Sequence, residues 1–137
     1  AVEVYAPLVT EDRSDASNGD RVPYDEATER DPEIMVYRIR GAFFFGAAAS
    51  IGSVLDRIAD THRALVIDFA AVPFMDSTGA NTIESLARKA ARRGVTVYLT
   101  GTTDEQRGAL RAHGVQPPLV RFEPSIDNAL KAVRAKD

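Results

Sequence analysis

Residues 64–79 read Ala-Leu-Val-Ile-Asp-Phe-Ala-Ala-Val-Pro-Phe-Met-Asp-Ser-Thr-Gly, and the fold turns on them. Leu65, Val66, Ile67 and Phe69 form a short run rich in β-branched side chains, the pattern of a strand buried on both faces. A helical spacing begins soon after. A central strand therefore feeds a loop ending in Asp76-Ser77-Thr78-Gly79 at a helix N-terminus. There Ser or Asp can cap, Gly lets the backbone turn tightly, and unpaired N–H groups attract anions.

Upstream, Glu33 to Arg40 alternates as a strand, with Arg38 and Arg40 facing solvent, and Gly41 turns the chain into a second strand, Ala42 to Phe45. From Ala47 the period becomes helical, with Ile51, Val54, Leu55 and Ile58 on one side. Downstream, the helix after Ser77 turns Ala80, Ile83, Leu86, Ala87 and Ala90 to the sheet and stops at Gly94. Val95 to Leu99 is a strand by β-propensity. Thr103 with Gln106 makes a capping box for the next helix, which Gly114 closes. Leu119 to Phe122 is a short last strand, and Ser125 caps a final helix with Ile126, Ala129, Leu130 and Val133 on its apolar side. Strands alternating with helices imply crossover units: an α/β fold with a mostly parallel sheet and helices packed on it.

With 137 residues and 45% apolar content the chain fits one globular domain. No run approaches the ~20 apolar residues that span a bilayer. There is no cysteine, which excludes disulfides and thiolate metal sites. His62 and His113 lack ligand-like spacing and read as surface or helix-end residues, so no metal is expected. Residues 1–10 hold either an edge strand or the tail of a connection. Residues 11–33 carry nine acids against three bases, whereas the remainder from Ile34 is mildly basic within a net charge of −3. Residues 1–32 therefore read as an acidic linker, and the domain as 33–137. A first residue that is Ala, with no secretory pattern behind it, suggests a segment of a longer protein.

A buried strand, a Val72-Pro73-Phe74-Met75 connection, then Asp76-Ser77-Thr78-Gly79 and a helix resembles the signature of the STAS domain, shared by sulfate transporters and anti-sigma-factor antagonists. The resemblance covers about Glu33 to Ala135 and implies the STAS fold, a mixed, mostly parallel sheet with about four helices. In the antagonists the serine directly after the aspartate is phosphorylated by a partner kinase, and Ser77 holds that position. The run Met35 to Ala48, with Tyr37-Arg38, Gly41 and Phe43-Phe44-Phe45, is more similar to SulP-family transporters, whose STAS domain follows the membrane region and lies in the cytoplasm.

The resemblance thus implies a cytoplasmic regulatory and assembly domain of a SulP-type transporter for sulfate or a related anion. It would act by contact with the transmembrane domain of the same protein or with a regulatory protein or kinase. The alternative is a stand-alone anti-sigma-factor antagonist switched at Ser77. A phosphate on Ser77 would add about −1.5 to −2 charge beside a helix N-terminus; the plainer role for Ser77 is the N-cap. Asp76, Ser77, Thr78, Gly79 and Asn81 could together meet a partner, an anion or a nucleotide, the last only weakly since no P-loop is present. Phe43, Phe44 and Phe45 are core, or a docking contact where one faces outward. Arg88, Lys89, Arg92 and Arg93 make a solvated helix face, or a contact for anionic lipid headgroups or for the acidic segment. Nucleic acid is not expected as a partner. Neither is enzymatic activity: Asp68 and Asp76 are the acids near the strand ends, and no base, nucleophile and orienter assemble around them.

Overall fold

The computed structural model describes residues 2–5, 32–40 and 61–135. The expected second strand with Phe43, Phe44 and Phe45, the helix from Ala47, and most of the acidic segment lie outside these residues.

Among the described residues, five strands make one sheet in the order β1 (Val2–Tyr5), β2 (Ile34–Arg40), β3 (Ala64–Ala71), β4 (Thr96–Thr100), β5 (Val120–Glu123). Every neighbouring pair is parallel. Val2–Tyr5 is thus an edge strand, the first of the two readings of that stretch. Parallel neighbours require a return path, which α1 (Ser77–Arg92) supplies between β3 and β4 and α2 (Asp104–Ala112) between β4 and β5; α3 (Ile126–Ala135) follows β5. The last strand starts and ends one residue later than the β-propensity suggests.

Both faces of the sheet are covered, which is why the strands lack a clean polar alternation. On one face Met35, Tyr37, Ile39, Leu65, Ile67, Phe69, Val97 and Leu99 pack with Ala80, Ile83, Leu86, Ala87 and Ala90 of α1 and Leu110 of α2. On the other, Ile34, Val36, Ala64, Val66 and Tyr98 pack with Ile126, Ala129, Leu130 and Val133 of α3. The helix faces are those the sequence spacing indicates. Alanines on α1 let it approach the sheet closely.

Helix ends follow local chemistry. The Thr103–Gln106 capping box forms in full, with Thr103 Oγ1 accepting from Gln106 N at 3.0 Å and Gln106 Oε1 accepting from Thr103 N at 2.9 Å. Ser125 Oγ accepts from Asn128 N at 3.1 Å ahead of α3. Gly94, one residue past the α1 C-cap Arg93, has φ +79°, the left-handed conformation that ends a helix without a Cβ penalty.

Each helix runs back against the strand direction, so the fold has two distinct ends. The β3–α1 loop lies where the strands finish, and the C-terminus of α1 lies about 22 Å away, at 1.5 Å per residue.

Candidate functional site

The loop that follows β3 is built by successive local constraints. Val72 is buried and its N–H bonds Phe69 O at 2.9 Å, which bends the chain out of the sheet. Pro73, with no N–H to donate, ends the ladder. Phe74 then stands 53% exposed, the one exposed large hydrophobic among the described residues. Met75 turns back and packs against the core beneath it.

Asp76 opens α1. Its backbone is extended and its Oδ1 accepts from Gly79 N at 2.9 Å. The reading of Ser77 as the N-cap is therefore corrected: the aspartate takes the cap, and Ser77 becomes the first helical residue. Ser77 is exposed and makes no side-chain hydrogen bond among the described residues. Thr78 and Asn81 are exposed beside it, and Gly79 is buried. Thr82 Oγ1 donates to Thr78 O at 2.9 Å, holding the first turn. Four of the five expected loop residues thus present a surface, and Gly79 serves as backbone.

Two polar residues whose long-range bonds the sequence does not show fix this loop from behind. Gln106 of α2 is buried, and its Nε2 donates to Val72 O at 2.9 Å. Asp68, two residues before the strand leaves the sheet core, is buried; its Oδ1 accepts from Thr100 Oγ1 of β4 at 2.6 Å and its Oδ2 from Ala70 N at 3.4 Å. Burial raises the Asp68 carboxyl above its ordinary 3.8, opposed by the bonds from Thr100 and Ala70 and by the charge of Arg38. Arg38 is the register partner of Asp68 on β2, and Thr100 its register partner on β4. A polar row therefore crosses three strands just below the loop.

Between the loop and α2 lies a groove of about 170 Å³, lined by Pro73, Phe74, Met75, Thr103, Gln106 and Ala109, with Glu105 on its edge. The other side of α2 borders a wider, open hollow where Arg107 bonds Thr102 and Asp104, and Arg111 stacks 5.4 Å above the Phe122 ring.

The remaining candidates lie elsewhere. Arg88, Lys89, Arg92 and Arg93 are all exposed at the far end of α1, where Arg88 pairs with Glu84 at 3.0 Å. They are not part of the loop site. Phe43, Phe44 and Phe45 fall outside the described residues. His113 ends α2, its Nδ1 3.0 Å from Ala109 O, as a helix-end residue should. His62 is not a surface residue: it is 7% exposed ahead of β3, and burial lowers its pKa.

A family model described as the STAS domain matches residues 26–129. A sulfate transporter family protein from Wolinella succinogenes is 31% identical over 75% of this chain and 86% of its own, with a TM-score of 0.68. The STAS domain of a SulP transporter from Vibrio cholerae is 27% identical over 83% of this chain and 94% of its own, at a TM-score of 0.67. The anti-sigma factor antagonist SpoIIAA in its unphosphorylated form shares the fold at 18% identity and a TM-score of 0.56, over 74% of this chain and 90% of its own. No curated protein matches the sequence. No described helix is long and apolar enough to cross a membrane.

Proposed function

The chain belongs to the STAS domain family, and from that premise we propose that it is the cytoplasmic regulatory and assembly domain of a SulP-type transporter of sulfate or a related anion. It performs no chemistry of its own. It works by presenting the β3–α1 loop to the membrane domain or to a soluble regulator, and so biases transport or assembly. The observation that carries this reading is the 31% identity to a sulfate transporter family protein across most of both chains.

Ser77 is the switch in this reading. An exposed hydroxyl at the first helical position accepts a phosphate without breaking the cap, since Asp76 Oδ1 holds Gly79 N. The added charge meets the helix N-terminus favourably and Asp76 unfavourably. The balance is therefore felt mainly by whatever docks over the loop.

The test is anion uptake by the complete gene product in proteoliposomes, intact and with residues 33–137 deleted. A changed rate or a lost assembly supports the proposal; unaltered uptake by the truncated protein overturns it. The exposed Ser77 directly after Asp76 also supports a second reading, a stand-alone antagonist controlled by phosphorylation. A coding region without apolar spans of about 20 residues would favour it.

A further inference from the structure

We propose that the groove between the β3–α1 loop and α2 is a docking site for a basic segment anchored by an apolar side chain, with the ring of Phe74 as its wall. The inference rests on the reading of the domain as a contact module, and names the chemistry of what it contacts.

Three observations converge. Phe74 is an aromatic left 53% exposed beside a groove floored by Pro73, Met75 and Ala109, which gives an apolar side chain somewhere to go. The groove is held in shape: Gln106 Nε2 bonds Val72 O behind Phe74, and the Thr103–Gln106 box fixes the start of α2. A preformed pocket loses little entropy on binding.

The third observation is charge. From Ala64 to Ala87 the chain carries acids and no base, and the same holds from Gly94 to Gln106. These two segments supply most of the groove's walls: Glu105 lines it and Asp76 directly follows the lining residue Met75, while Asp104 is paired with Arg107. The nearest basic side chain in sequence, Arg107, is turned away into its bonds with Thr102 and Asp104. Helix α1 carries its own bases at the opposite end of the domain. An acidic rim around an apolar slot is complementary to lysines and arginines flanking a leucine or phenylalanine. Membrane proteins concentrate Lys and Arg in their cytoplasmic loops, so a segment of that chemistry faces any domain on the cytoplasmic side. The sign for Ser77 follows: added negative charge beside this rim strengthens such a partner's binding.

The test uses the whole 137-residue chain, ¹⁵N-labelled, and three synthetic peptides: one with leucines flanked by lysine and arginine, one with the same leucines flanked by glutamate, and one basic with alanine replacing leucine. The first is expected to shift amides of residues 73–77 and 103–109. Phe74→Ala, with the amide spectrum of the sheet checking that the fold is kept, is expected to weaken it about tenfold, the loss typical of a binding anchor. Glu105→Lys reverses the preference between the first and second peptides, and Ser77→Glu tightens the first. Equal binding of all three, shifts elsewhere, or self-association through Phe74 overturns the inference. Because no membrane domain is present, such a failure leaves the transporter reading to the uptake assay, and altered uptake with no peptide binding sinks the groove alone.

Discussion

Thr100 Oγ1 donates a 2.6 Å hydrogen bond to Asp68 Oδ1 in the sheet interior, joining the ends of β3 and β4 directly beneath the candidate site. The two residues are register partners on parallel strands, so the bond spans one strand spacing and cannot be replaced by water without opening the sheet. Thr100→Val keeps the shape and removes the donor. The carboxylate then loses its shortest partner, and the expected cost is about 1–3 kcal/mol in urea unfolding. A change below about 0.5 kcal/mol would show that the bond contributes nothing.

The same carboxyl sets a pH dependence. Its folded pKa is raised above 3.8, so between 3.8 and the folded value the native state binds more protons than the unfolded state. Its contribution is most favourable below 3.8 and is lost as pH rises through that window. Asp68→Asn cannot titrate. Unfolding measured at about pH 4 and about pH 7 should therefore show Asp68→Asn gaining stability relative to wild type as pH increases. A difference that is flat or moves the other way contradicts the assignment.

The cap assignment separates two neighbouring residues. Asp76→Ala removes the acceptor for Gly79 N and should cost about 1 kcal/mol. Ser77→Ala removes an exposed hydroxyl and should fall within about 0.5 kcal/mol of wild type. Thermal or urea unfolding of the two variants decides it, and the reverse order would return the cap to Ser77.

Two glycines with similar backbone angles predict different outcomes. Gly94 has φ +79° with no atom within 4 Å of a built Cβ, so Gly94→Ala costs only left-handed strain, about 1–2 kcal/mol. Gly101 has φ +68°, and a Cβ there would lie 2.8 Å from Ala70 N on β3. Backbone cannot swing aside as a side chain does, so Gly101→Ala adds overpacking to strain and should cost about 2–5 kcal/mol. Equal losses at both sites would contradict the close approach of the β4–α2 turn to β3.

Gln106 bonds the N-cap and the loop at once. Gln106→Ala should lose about 1–3 kcal/mol and, more tellingly, raise amide exchange in residues 72–76 ahead of the rest of the domain. Uniform exchange through the loop and β4 would mean the bond to Val72 O does not hold the loop.

The helices were legible because each advertises its ends: an acid or hydroxyl before the first turn, glycine after α1 and α2, and apolar residues three and four apart between. The strands were legible as β-branched runs, and the alternation fixed the α/β class. What the pattern left open has a common cause. Asp76 and Ser77 are both competent caps, and a shift of one residue in the helix start decides between them. The Asp68–Thr100 bond depends on strand register, and the burial of His62 depends on what packs over the start of β3. Gln106 reads as half of a capping box, which it is, but its second bond reaches 34 residues back along the chain. Phe74 follows the same logic: a phenylalanine beside proline is core or surface according to where the loop turns, and only the fold decides.

Docking through the β3–α1 loop is tested by an NMR titration of the labelled chain with the membrane domain of the proposed transporter in detergent micelles, repeated with Ser77→Glu. Amide shifts are expected to be confined to residues 73–81 and 103–109, with affinity changed by the substitution. Failure of both forms to bind, or shifts confined to the basic end of α1, would contradict a module that docks through this loop.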